Sequence, residues 1–260
     1  DQEGHWMPKN RINHVEVGRR YYGNFFGYHD VTDSSDDLME QPLVWITNAV
    51  DRSPAQLLWV DREAWGPLQG SLLSISYGYG KLYVIPYEEI EGELQGGICE
   101  LPMAPFPTGI MRGRFHPLDR QLYTCGMFAW ASNQQQPGGF YRVRYTGRPV
   151  HLPVELHAMA DGIAITFSGE LDPRTVADVS RFSVKTWTLK RTASYGSDHY
   201  NERPSEIRSA RLSQDRRTVY LQVPGIRPTW CMEIKYSLTT AAGANVKGMI
   251  HNTIHRLPSG

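Results

Sequence analysis

The chain has 260 residues and carries 27 basic against 27 acidic side chains, so its bulk charge gives no reason to expect a nucleic-acid partner or an anionic membrane surface. Hydrophobic residues make up 40%, enough for a sizeable core and too many for a disordered chain, and no apolar run approaches the length of a membrane-spanning helix. Three widely spaced cysteines, Cys99, Cys125 and Cys231, form neither a CxxC zinc pattern nor a CxxCH haem site and read as buried free thiols.

In chain order, the predicted elements are almost all strands. Proline and glycine, 17 and 24 of them, interrupt any long helical period. The acidic stretch 30–40 is the one candidate helical turn, with Ser34 or Ser35 as its cap ahead of Asp36 and Asp37. Strands are expected at 43–47, 57–60, 71–76, 81–86, 98–101, 113–116, 122–125 and 140–145. The last of these alternates strictly: Tyr141, Val143 and Tyr145 face one way, Arg142 and Arg144 the other. Composition shifts near Arg148-Pro149-Val150, and the strands beyond it lengthen. Ile163, Ile165 and Phe167 share a face, as do Val219, Leu221 and Val223, and Met232, Ile234, Tyr236 and Leu238. The expected fold class is all-β, with a propeller-like meander over 1–150 and an immunoglobulin-like β-sandwich over 151–260.

A family resemblance rests on several stretches taken together. Residues 1–23, DQEGHWMPKNRINHVEVGRRYYG, are followed by DRSPAQLLWVD, WGPLQGSLLSISYGYGKLYVI, GIMRGRFHPLDRQLYTCG and GGFYRVRY. In this order they resemble the last blades of β-propellers related to soluble quinoprotein glucose and sorbosone dehydrogenases. Closer still are the large multidomain proteins of planctomycete and verrucomicrobial type, which join such a propeller to cytochrome c or haem-binding domains. The resemblance covers residues 1–147, and the tail, with VKTWTLKRTASYGSDHY and RPTWCMEIKYSL, resembles the Ig-like module that follows. It implies the C-terminal part of a propeller acting in carbohydrate-related redox metabolism, in the periplasm or outside the cell. It also implies that Asp1, Gln2, Glu3 and His5 face a central cavity near a calcium and quinone site. His5 and Trp6 stand where the sugar dehydrogenases carry Gly, Asp and Glu. The family's catalytic histidine lies on an earlier blade that no segment here matches, so quinone-dependent oxidation is not expected of this chain alone.

Size sets a constraint. A blade takes about 40–50 residues and a ring about 4–8 blades, so residues 1–150 supply about three. The chain opens Asp1-Gln2-Glu3 without an initiator methionine, and we expect it to be cut from something longer. An open stack leaves sheet faces at both ends. These are to be covered by a second copy in a homo-oligomer, by the C-terminal sandwich, or by further blades.

Several side chains suit chemistry. His29 and Asp30 with Asp33, Asp36, Asp37 and Glu40 form the densest set of oxygen and nitrogen donors, fitting Ca²⁺ or another divalent cation, or else a solvated acidic loop. With His5 they suggest a different class of function, a metal-dependent ester or phosphoester hydrolase. Its ligands would be His5, His29, Asp30, Asp33 and Asp36, and the ion would lower the pKa of a bound water. Arg52, Arg112 and Arg114 lie near strand starts, where propeller loops line a channel mouth, and suit a carboxylate, a sulfate or sugar hydroxyls; pairing to neighbouring acids is the alternative. Trp187, with Tyr195, His199 and Tyr200, suits stacking on a sugar ring or packing against the first half. His251 and His255 fall on a strand, where four residues span about 13 Å, too far for one metal. Cys125 and His116 are a weaker thiol–imidazole candidate, more at home as core positions. No GxSxG, HExxH or phosphate-binding glycine loop occurs. A non-catalytic interaction module is the third class of function the residues allow.

Overall fold

The computed structural model describes residues 7–18, 39–61, 63–130, 132 and 134–259. The protein is all-β, with 48% strand against 6% helix, in several antiparallel sheets, none of which closes into a barrel or ring among the described residues. The predicted turn within 30–40 lies outside the described residues for all but its last two positions.

The first half stacks three sheets. β1 (Asn10–Ile12) and β2 (Val44–Ile46) form a two-stranded ribbon. β3 (Pro54–Trp59), β4 (Leu72–Ser76), β5 (Leu82–Val84) and β7 (Glu93–Glu100) follow as a meander. β6 (Tyr87–Ile90) folds back on β7. The Glu91-Gly92 turn between them holds both residues at positive φ, 50° and 81°, as a two-residue hairpin of the primed type requires. β8 (Gly109–Phe115), β9 (Leu122–Met127) and β10 (Gly138–Val143) make the third sheet.

Alternation explains the stacking. Every residue of β4 is buried, because both of its faces are covered. Leu73 and Ile75, with Leu82 and Val84 of β5, pack against Ile110 and Leu122 of the third sheet. On the opposite face Leu72, Tyr83, Ile85 and Ile98 pack against Ile12, Val44 and Ile46 of the ribbon. Close approach is locked where a Cβ on Gly126 would meet the Gly109 carbonyl oxygen at 1.8 Å.

The second half is a two-sheet sandwich. One sheet holds β11 (Pro153–Met159), β12 (Gly162–Phe167), β16 (Thr218–Gln222) and β15 (Ser209–Leu212). The facing strands are β14 (Tyr200–Ser205), β13 (Phe182–Thr188), β17 (Thr229–Thr239) and β18 (Asn245–Ile254). The three apolar faces legible in the sequence meet in one core, where the Phe167 and Tyr236 rings cross edge to face at 5.2 Å. A five-residue helix, α1 (Pro173–Ala177), carries an Asp172 cap and Pro173 in its first turn, a start signal present in the sequence but not read there.

The two halves share a sheet. β18 pairs with β7 through Ile250, His251 and Asn252 opposite Cys99, Ile98 and Gly97, so one nine-stranded sheet runs from β14 to β3 across the composition shift near Val150. The sandwich also covers one end of the stack. Trp45, on the outer face of β2, stacks on Trp230 at 5.1 Å and packs with Trp187, Leu189 and Cys231. No described residue covers the outer face of β8–β10, and Phe140 there is 73% exposed. Cys99 and Cys231 are buried as expected, whereas Cys125 is exposed, because its β9 position points to that open face.

Candidate functional site

A cleft of ≈ 1010 Å³ lies between the central meander and the sandwich. The turn after β4 and the body of β5 supply Tyr79, Lys81 and Tyr83, and the end of β7 supplies Glu100. Arg181, Lys235 and Lys247 come from the sandwich side. Strand alternation places Lys235 and Lys247 on the solvent side of β17 and β18, opposite to Ile234 and Val246, which fill the core.

Four of the charged lining side chains are cations and one, Glu100, is a carboxylate. Lys81 Nζ lies 2.7 Å from Glu100 Oε2, Lys235 Nζ is 2.9 Å from Glu233 Oε1, and Arg181 Nε is 3.4 Å from Asp178 Oδ2. Lys247 is exposed and makes no ion pair among the described residues. Ser180, Ser183 and Ser237 add small polar groups. The tyrosine hydroxyls are anchored: Tyr79 donates to the Asn48 carbonyl at 2.6 Å and Tyr83 to that of Val50 at 2.7 Å, so the half-buried Tyr79 ring faces the cleft while the Tyr83 ring is buried behind its wall.

Beneath the cleft sits a buried acid. Asp51 is fully enclosed; Ser76 Oγ donates to its Oδ1 at 2.5 Å, and its Oδ2 has no hydrogen-bond partner among the described residues. Burial, only partly offset by the Ser76 hydrogen bond, pushes its carboxyl up to about 7. The Tyr83 phenol is driven upward by its own burial and by the nearby Asp51 carboxyl.

On the other flank, His251 and Glu233 face each other across β18 and β17, with Nε2 3.1 Å from Oε2. Nδ1 lies 3.3 Å from Thr47 Oγ1, so a neutral imidazole donating to Glu233 and accepting from Thr47 satisfies all three groups. The His251 bond, reinforced by Lys235, holds the Glu233 carboxyl at about 2, while burial lowers the His251 imidazole.

The residues expected from the sequence are scattered. Arg52 lies over the Tyr79 ring at 5.7 Å and donates to the Trp130 carbonyl at 2.6 Å, one ring away from the cleft. Arg112 and Arg114 lie outside the cleft, on the exposed face of β8. Trp187 is 1% exposed, with His199 stacked on its ring at 4.5 Å and the His251 ring edge-on at 5.3 Å, so packing occupies the surface a sugar would need. His251 and His255 have separate partners: His255 Nε2 donates to the Pro42 carbonyl at 2.7 Å. His116 pairs with Asp119 at 3.3 Å, and its ring meets Tyr123. His5, His29, Asp30, Asp33 and Asp36 lie outside the described residues, and no three His, Cys, Asp or Glu side chains among the described residues are grouped to hold a metal. No local pattern marks Lys81, Tyr83, Glu100 and Lys247, because the β5–β7 pairing gathers the first three and the β18–β7 pairing adds Lys247.

No family model matches the chain, and no curated protein or solved structure matches it either. Among the described residues no helix is long and apolar enough to cross a membrane.

Proposed function

We propose that the chain is the closing part of a propeller-type protein, with stacked blades followed by an Ig-like module, and that its cleft binds a small anionic ligand of carbohydrate type. What supports the blade reading is the three sheets packed face to face. What carries the ligand reading is the cleft itself: Lys247, with no ion pair among the described residues, lines it together with the anchored Tyr79 ring and a set of serines. An ammonium group attracts a carboxylate or a phosphate, the half-buried Tyr79 ring offers a face to a sugar, and the serines exchange hydrogen bonds with its hydroxyls. Redox chemistry of the dehydrogenase kind belongs to the reading only with further blades, from this chain's longer form or from a second copy. The candidate cation ligands His5, His29, Asp30, Asp33 and Asp36 lie outside the described residues, and the reading assigns no step to calcium or a quinone.

Calorimetric titration with gluconate, glucuronate, inorganic phosphate and glucose tests the reading. We expect at least one of the sugar acids to bind, glucose to bind more weakly, and K247A to weaken the acid about tenfold, about 1.4 kcal/mol. Binding of none of the four, or binding indifferent to both K247A and Y79A, would overturn it.

A further inference from the structure

The open face of the third sheet carries a pattern of its own. Register places Arg112, Cys125 and Phe140 in one row across β8, β9 and β10, and Arg114, Tyr123 and Arg142 in the next row on the same face. Tyr123 and Phe140 stack on each other at 5.8 Å and 27°. Three guanidinium groups therefore surround an aromatic pair. Arg112 donates to the carbonyls of Met111 and Ala55 at 2.7 and 3.4 Å, and Arg114 to that of Gly113 at 2.7 Å. None of the three makes an ion pair among the described residues, unlike Arg120, Arg174, Arg181 and Arg256, which each have a carboxylate partner. Asp119, at the edge of this face, attracts Arg142 and is engaged by the Tyr123 hydroxyl at 2.7 Å, the Gln121 amide at 3.0 Å and the His116 ring at 3.3 Å. In a chain of zero net charge this is a concentrated positive patch.

Charge and area select the occupant. A second copy meeting face to face would bring like arginines together, and an apolar sheet laid here would strand three cations without water or counter-ions. The patch is also small. Strands of six or seven residues at about 3.3 Å each, with two gaps of about 4.8 Å, give about 20 by 10 Å between strand axes. A stable protein interface needs about 800 Å² on each side, several times more. A linear polymer needs only a strip of this size.

We propose that the outer face of β8–β10 is a docking strip for an anionic polysaccharide. Its sulfate or carboxylate groups would pair with Arg112, Arg114 and Arg142, and a sugar ring would lie against Tyr123 and Phe140. Guanidinium forks suit either anion in two-point contacts. The strip shares no residue with the cleft and stands or falls independently of it.

Affinity electrophoresis and biolayer interferometry on the full chain test this with four probes of matched length: a sulfated polysaccharide, a polyuronate, a neutral polysaccharide and single-stranded DNA. At least one of the first two is expected to bind, and which one binds identifies the anion. Affinity should fall as salt rises, because exposed pairs are screened. The double variant R112A/R142A is expected to lose at least tenfold, R112K/R142K to keep part of the affinity, and F140A to lose severalfold, while K247A in the cleft keeps polymer binding intact. All four substituted positions are solvent-exposed, and matching circular dichroism spectra would verify the fold of each variant. The proposal is overturned if neither anionic polysaccharide binds, if the neutral polymer or the DNA binds as tightly, or if R112A/R142A binds like the parent.

Discussion

Asp51 concentrates the physical chemistry of the cleft in one side chain. A carboxyl raised to about 7 when folded, against 3.8 unfolded, favours the native state while it holds its proton. The contribution is fully present below the unfolded value and is lost as pH rises toward and through 7. Over that window it amounts to on the order of 4 kcal/mol. D51N keeps an uncharged polar group in place. Urea titrations from pH 4 to 8 should show parent stability declining across the range, with this component absent in D51N; parallel curves would refute the assignment.

Between elements, the Glu233–His251 bond ties β17 to β18, and Thr47 ties both to the ribbon. Glu233 at about 2, against 4.5 unfolded, has the opposite sign: its contribution is present above the unfolded value and is lost as pH falls through about 2. E233Q retains an acceptor for the imidazole but leaves Lys235 and Lys185 without their buried counter-charge. It should cost about 2 kcal/mol at neutral pH, in the range of hydrogen bonds to charged groups, and flatten the acid limb of the stability curve. Chemical denaturation at pH 3 and pH 7 checks both effects.

This joint also marks where the sequence becomes mute. The alternations of Ile163–Ile165–Phe167 and Met232–Ile234–Tyr236–Leu238 are local, period-two signals, and they name the sandwich core directly. Ile250, Thr253 and Ile254 likewise give the β18 strand and rule out a shared metal for His251 and His255. That β18 pairs with β7, some 150 positions away, has no local signature, so the cleft it creates could not be read beforehand. Cys125 was misplaced for a related reason. Its segment looks apolar, but a strand's outer face is buried only when another layer arrives, and none does here among the described residues.

At the scale of the molecule, a nine-stranded sheet crossing both halves and the packing of Trp45 against Trp187 and Trp230 bind stack and sandwich into one structure. We therefore expect the halves to melt together, with far-ultraviolet dichroism and tryptophan fluorescence giving superimposable denaturation curves. Two separated transitions would show that the shared sheet is energetically weak. The stacked pair at that joint has an optical consequence as well. Two indoles 5.1 Å apart and inclined by 20° lie close enough for their excited states to mix. The native protein thus holds a built-in chromophore dimer, and any split dichroic band it gives is expected to vanish once either ring turns away.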